Sequence, residues 1–195
     1  MIATRHAYGF LILSAAMLAA FITTLADNPV ERFGALAREG EAWAQYNLGV
    51  AYETGRGVSP DPAMAAQWYR AAAEQGHVKA QNNLGVLYDN GRGVVEDDVE
   101  AVKWYGLAAE QRDAVAQYNL GLAYSMEGKF QNAIPHFQKA LQIQPNHWKA
   151  HNNLGMALVL VGKKPEAIGH FRQALRIRPD DDKTRRNLDR VLNSD

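Results

Sequence analysis

The chain contains no cysteine. That excludes disulfides, thiolate chemistry, zinc-finger ligation and a lipid anchor on cysteine. It leaves the compartment open, because a large helical core needs no covalent staple. Runs of Val, Ile and Thr are scarce, and no long stretch alternates apolar with polar residues, so strands have little support. Excess charge is absent too: 21 Lys and Arg balance 21 Asp and Glu. A nucleic-acid binder would be more basic and would carry a stacking or groove-reading motif, and neither is present. No glycine-rich phosphate loop follows a strand, and no serine nucleophile motif occurs. What the chain does have is Ala, Leu and Gln in abundance, which leans it toward helix. Its 195 residues, 47% of them apolar, suffice for one domain or a short array with a real core.

Charge cancels only globally. From Asp27 to Asp113 there are 14 acids and 8 Lys or Arg, a net of −6, and from Ala114 to Asp195 there are 7 acids and 12 Lys or Arg, a net of +5. The chain is a dipole along its length. That steers a charged partner or reflects solvated helix faces.

Residues 1–26 read as a targeting segment. Met1–His6 is short and basic, Ala7 to Ala26 carries no charge, and Asp27-Asn28-Pro29 ends the run. A basic start, an apolar middle and the small residues Thr24 and Ala26 make a secretory signal cut after Ala26. The competing reading is an uncleaved anchor, since the run approaches the roughly 20 residues that span a bilayer. In both readings Arg5 and His6 hold the N-terminus in the cytoplasm and the rest is exported. The expected location is periplasmic or secreted, or else anchored in the inner membrane facing the periplasm. A membrane is a partner only if the segment stays uncleaved.

Internal repetition dominates the remainder. Ala44-Gln-Tyr-Asn-Leu-Gly49 returns as Ala80-Gln-Asn-Asn-Leu-Gly85, Ala116-Gln-Tyr-Asn-Leu-Gly121 and Ala150-His-Asn-Asn-Leu-Gly155, with a worn copy at Thr184-Arg-Arg-Asn-Leu-Asp189. The Asn residues stand at 47, 83, 119, 153 and 187, in steps of 36, 36, 34 and 34. A second motif follows each of the first four: Ala65, Trp68, Tyr69, Ala72; Ala101, Trp104, Tyr105, Ala108; Ala133, Phe137, Ala140; Ala167, Phe171, Ala174. Small, aromatic and small residues at steps of four and three share one helical face. Each unit is therefore helix, turn, helix. The first helix buries Leu and admits a neighbour at Gly, and the second presents the aromatic stripe. Neither hides its apolar face alone, so the units stack and the core runs lengthwise. The longer period comes from a longer turn inside the first two units, around Gly55-Arg-Gly-Val58 and Gly91-Arg-Gly-Val94. Glycine there supplies positive φ and ends the first helix.

With these motifs in hand, the first two units resemble Sel1-like repeats through their Asn-Leu-Gly, Gly-x-Gly-Val, Trp-Tyr and Ala-Ala-Glu-Gln elements. The last two resemble tetratricopeptide repeats, through Leu120, Gly121, Tyr124, Ala133, Phe137, Ala140 and Pro145, then Leu154, Gly155, Ala167, Phe171, Ala174 and Pro179. The resemblance covers about residues 30 to 190. It implies an all-α fold: a right-handed superhelical solenoid of antiparallel helix pairs whose concave face is built mainly from first helices. The expected organisation is a signal or anchor at 1–26, a half-repeat helix at 27–40, Sel1-like repeats over 41–112, tetratricopeptide repeats over 113–180 and a polar capping helix at 181–195. Pro165 falls at a helix start, where proline is tolerated. Pro135 lies deeper and is expected to fray or kink its first turn.

Chemistry has few candidates. His147 and His151 have the spacing of two ligands on one turn but lack the Glu of a zinc hydrolase motif and a third ligand. His136 and His170 stand beside the core aromatics as polar spacers, with no orienting partner in view. No catalytic residue, metal or cofactor is expected, and the reading is a protein-binding scaffold rather than an enzyme. The Asn ladder is the leading functional feature. Asn is a poor helix former, so each copy is held by something else: a bond to a neighbouring helix, or a ligand. In the tetratricopeptide domains that this chain resembles, an Asn at this place grips the backbone of a bound peptide, a role its paired donors and acceptor suit. The expected groove is Asn47, Asn83, Asn119 and Asn153, flanked by Tyr46 and Tyr118, with Leu122 and Met156 for an aliphatic anchor. Lys79 and Lys149 stand far apart in it, unlike the paired cations that clamp chaperone tails in some relatives of this resemblance. The partner is an extended segment of another protein. The alternative is an anchored subunit that assembles or regulates an envelope enzyme.

Overall fold

A computed structural model describes residues 28–193; the 1–26 segment lies outside the described residues. Among the described residues ten helices follow one another and there is no strand. They are α1 (Pro29–Arg38), α2 (Ala42–Thr54), α3 (Pro62–Glu74), α4 (Val78–Asp89), α5 (Asp98–Glu110), α6 (Ala114–Met126), α7 (Phe130–Ile143), α8 (Trp148–Leu160), α9 (Lys164–Ile177) and α10 (Asp182–Leu192). Each packs on the next, and the first helices α6 and α8, and α8 and α10, also touch. No described helix is long and apolar enough to cross a membrane.

Local chemistry sets the boundaries. Asp61 and Asp97 cap α3 and α5 with side-chain bonds to two backbone N–H groups each, as short carboxylates do at this position. Asp113 and Asp181 cap α6 and α10. In α4 and α8 the cap is a histidine, with Nδ1 of His77 and of His147 accepting from Ala80 and Ala150. Gly55 ends α2 at φ 75°. Gly57 and Gly93 do more than turn the chain. A Cβ on Gly57 would stand 2.8 Å from Asn28, and one on Gly93 would stand 2.2 Å from the Pro62 carbonyl. The long Sel1-type loop thus rests on the start of the preceding second helix.

The pairing inside each unit is an aromatic ring laid on a glycine. A Cβ on Gly49, Gly85, Gly121 or Gly155 would stand 2.6, 2.7, 2.5 or 2.7 Å from the ring of Tyr69, Tyr105, Phe137 or Phe171. Those four aromatics are almost wholly buried, with Leu84, Leu154 and the alanines around them. The buried residues fall into three clusters along the array: around α1 and α2, around α3 to α6, and around α7 to α10.

In α10 Asp189 occupies the glycine position, so a ring cannot dock there as it does on the other first helices. Pro165 sits in the first turn of α9. Pro135 behaves differently from the expectation: α7 is helical from Phe130 to Ile143, straight through it. Pro135 and Gln131 are both exposed. The Gln131 carbonyl, deprived of its N–H partner, is left to water, and the turn stays helical.

Candidate concave site

Two ladders of polar side chains run across the repeats. The first was visible in the sequence but not singled out: the residue after the motif alanine. Gln45, Gln81 and Gln117 are buried, and each donates from Nε2 to a carbonyl of the preceding unit, Ala37, Ala73 or Ala109, at 3.1 Å. Each also accepts on Oε1 from the second helix of its own unit: from Gln75 at 2.8 Å, from Gln111 at 2.9 Å and from Nδ1 of His136 at 2.9 Å. In the last unit His151 replaces glutamine. Its Nε2 lies 2.9 Å from the Pro145 carbonyl, and its Nδ1 lies 3.0 Å from Nδ1 of His170. A carbonyl only accepts, so His151 carries its proton on Nε2 and receives a bond from the Nδ1–H of His170. Burial lowers the pKa of both imidazoles; the neighbouring His151 lowers that of His170 further while Glu166 opposes it. His136 and His170 are therefore structural donors. His147 is bound to its own helix start, so it and His151 do not converge, and among the described residues no group of three ligands could hold a metal.

The second ladder is the asparagine one. All four candidates are half-buried, and Asn153 also accepts from the amide of Asn152 at 3.0 Å. Asn47 donates to its own helix at Trp43, 2.7 Å away. Asn119 donates to Asn82 of the preceding first helix at 2.9 Å, and Asn153 donates to the Tyr118 hydroxyl at 3.0 Å. Asn187 and Thr184 both donate to Asn152 at 3.0 Å. In three successive steps, then, the ladder Asn is tied to the residue that precedes the ladder Asn of the unit before. The first step departs from this rule. Asn83 stands near the Tyr69 hydroxyl and lowers its pKa against the larger effect of burial, while that hydroxyl donates to Glu53 at 2.6 Å. A hollow of about 330 Å³ lies there, lined by Tyr46, Asn82 and Asn83 together with Lys79, Asp113 and Val115.

The flanking candidates fall into place around this. Tyr46 stacks on the capping His77 with centroids 4.6 Å apart, and Tyr118 lies 4.7 Å from His147. Burial pushes both phenols up in pKa, so both are neutral donors at any physiological pH. Leu122 and Met156 are half-buried on the core of the last units. The structure thus brings Tyr46 to Asn83 and Tyr118 to Asn153, while Asn47 keeps to its own helix.

These features define a class, the αα solenoid of stacked helix-pair repeats. Comparison with known families then sharpens it. The Sel1 repeat model matches residues 44–77 and 78–113, and the tetratricopeptide repeat model matches residues 112–180. The chain belongs to the Sel1 and tetratricopeptide repeat proteins, with two units of the one kind followed by two of the other, and its fold is their right-handed superhelix. Among solved structures it is similar to a Sel1 repeat protein from Oxalobacter formigenes, at 27% identity over 90% of this chain and 79% of that one, with a TM-score of 0.70. It is also similar to c5321, a protective antigen of uropathogenic Escherichia coli with an SLR fold, at 24% identity over 82% of this chain and 35% of that one, TM-score 0.74. A third likeness, in fold alone, is to the first TPR of Spaghetti (RPAP3) bound to an HSP90 peptide, at 21% identity over 59% of this chain and 90% of that one, TM-score 0.54. No curated protein matches the chain. Scaffolds of these families are generally non-enzymatic and serve protein–protein interaction.

Proposed function

We propose that the protein is an exported interaction scaffold that holds an extended segment of a partner protein along its concave face. The observation that carries this is the open step of the asparagine ladder. At Asn119, Asn153 and Asn187 the ladder amides bridge neighbouring first helices; at Asn83 that bridge is missing and a hollow takes its place. An amide there meets a peptide backbone with both a donor and an acceptor. The neighbouring Tyr46 gives apolar contact, and Lys79 and Asp113 offer the segment opposite charges. Backbone gripping supplies affinity and the flanking side chains supply choice. A tetratricopeptide neighbour bound to a peptide is in keeping with this mode.

The test is the double substitution Asn83→Ala, Asn119→Ala. Partner affinity should fall about tenfold or more. Asn119→Ala also removes the bond to Asn82, so the melting temperature is read alongside. A drop of several degrees with affinity intact in the folded fraction makes the ladder purely structural. Export rests on residues 1–26. Native protein beginning at Asp27 and free of the membrane supports a cleaved signal, whereas a start at Met1 with retention through a carbonate wash supports the anchored assembly subunit instead.

A further inference from the structure

A larger hollow, of about 630 Å³, lies between α5 and α7 with α6 as its floor, on the side of the second helices and away from the asparagine ladder. It marks the junction where the Sel1 units meet the tetratricopeptide units. Two of its residues break the pattern of the preceding repeat. There the second helix carries Arg70 inside and Gly76 just beyond its end; one repeat on, the corresponding residues are Gly106 and Arg112, the reverse order. Gly106 weakens the middle of α5 relative to any ordinary helix former. Packing does not require it, since a Cβ there would meet nothing within 4 Å. Arg112 has φ 62°, in the left-handed region, and is the sole non-glycine at positive φ among the described residues. Gly40 and Gly76 make the same turn in the earlier units, at φ 101° and 83°. Two residues at one hollow thus weaken the local structure with no return in packing. Such departures gather where a protein keeps a site.

We propose that this junction hollow is a second binding site, separate from the concave groove, and that it takes a partner segment presenting an aliphatic or aromatic side chain next to a carboxylate. The apolar part is met by Leu120 on the floor and by Val102 and Ile143 on the walls. Gly106 removes the one side chain that would keep a ligand backbone from α5. Below them the amide of Gln117 is satisfied by the Ala109 carbonyl and by Nδ1 of His136, so it asks nothing of the ligand. Charge selects the rest. Arg112 and Lys139 stand exposed at the rim, and neither is in any of the ion pairs among the described residues; Glu110 is the single acid beside them. The volume falls in the range, roughly 300–1,000 Å³, of clefts that hold small ligands and peptide side chains.

The test uses the full chain and two capped dipeptides, N-acetyl-Leu-Glu-amide and N-acetyl-Leu-Lys-amide, followed by amide chemical shifts. The acidic probe should shift Gly106 and Arg112 saturably at concentrations up to ~10 mM, and the basic probe should bind at least about tenfold more weakly. Gly106→Leu should fill the hollow, raise the melting temperature and abolish the shifts. Arg112→Gly should also raise the melting temperature and weaken the acidic probe. Stability up and affinity down in both variants is the signature of a site. If neither probe moves Gly106, if both bind equally, or if the two variants gain stability with probe binding unchanged, the proposal is overturned.

Discussion

At the scale of single residues, the same substitution has opposite signs at two glycines. Gly85→Ala places a methyl carbon 2.7 Å from the Tyr105 ring and 3.2 Å from the Ala101 carbonyl. Overpacking of this kind costs about 1–3 kcal/mol, which outweighs the gain in helix propensity. Gly169→Ala meets nothing within 4 Å and should gain about 1 kcal/mol. Thermal unfolding of the two variants checks the pair, and equal signs would contradict the ring-on-glycine packing. The His151–His170 contact makes a second residue-scale prediction. Burial holds both imidazoles below their ordinary pKa, so the unfolded chain takes up protons more readily than the folded one. The stability they contribute is complete above about pH 6.5 and is lost as the pH falls toward the folded pKa values. Protonation of His151 also destroys the acceptor that His170 uses. The last units should therefore loosen on going from about pH 7.5 to about pH 5. His151→Gln, which restores the residue of the other three units, should remove much of that dependence in a hydrogen-exchange comparison. The Asn, Gly and aromatic positions were legible in the sequence because their period announced them. The buried glutamines had the same period and were passed over, since glutamine is a good helix former and calls for no explanation. That His136 donates to Gln117 and His170 to His151, which stands in the glutamine position, was hidden, because the contacts join different helices.

Elements repeat the lesson on a larger scale. The helix-turn-helix period, the all-α class and the glycine ends of the first helices could all be read from spacing. The behaviour of Pro135 could not, because it depends on exposure. Inside a buried helix a missing N–H strands a carbonyl; here Gln131 lies at the surface and water takes over. Pro135→Ala would restore the bond, and stability should rise by about 1–3 kcal/mol, with slower amide exchange in the first turns of α7. An unchanged exchange rate there would mean that the carbonyl had already found a partner within the protein. The long Sel1-type loops were legible as turns, but not as props. Their second glycine approaches the preceding second helix, a contact fixed only by the stacking of units.

For the molecule as a whole, the two repeat types do different work along one axis. In the Sel1 units the ring under the glycine is a tyrosine facing a carboxylate: Tyr69 donates to Glu53, and Asp89 lies near enough to Tyr105 to help burial raise its pKa. In the tetratricopeptide units it is a phenylalanine with no such tie. The junction between them, near residue 113, is where the large hollow lies. The acidic first part and basic last part add a dipole to this axis. The central claim is that the partner lies along the concave face. Site-specific photo-crosslinking in cells that make the protein tests it most directly. Single crosslinkers are placed at Asn47, Asn83, Asn119 and Asn153, and control crosslinkers at Gln67 and Arg172, exposed on second helices. The account predicts one partner band at the ladder positions, strongest at Asn83, that is lost when Tyr46 is replaced by alanine; crosslinks of equal strength at Gln67 and Arg172, or none along the ladder, would contradict it.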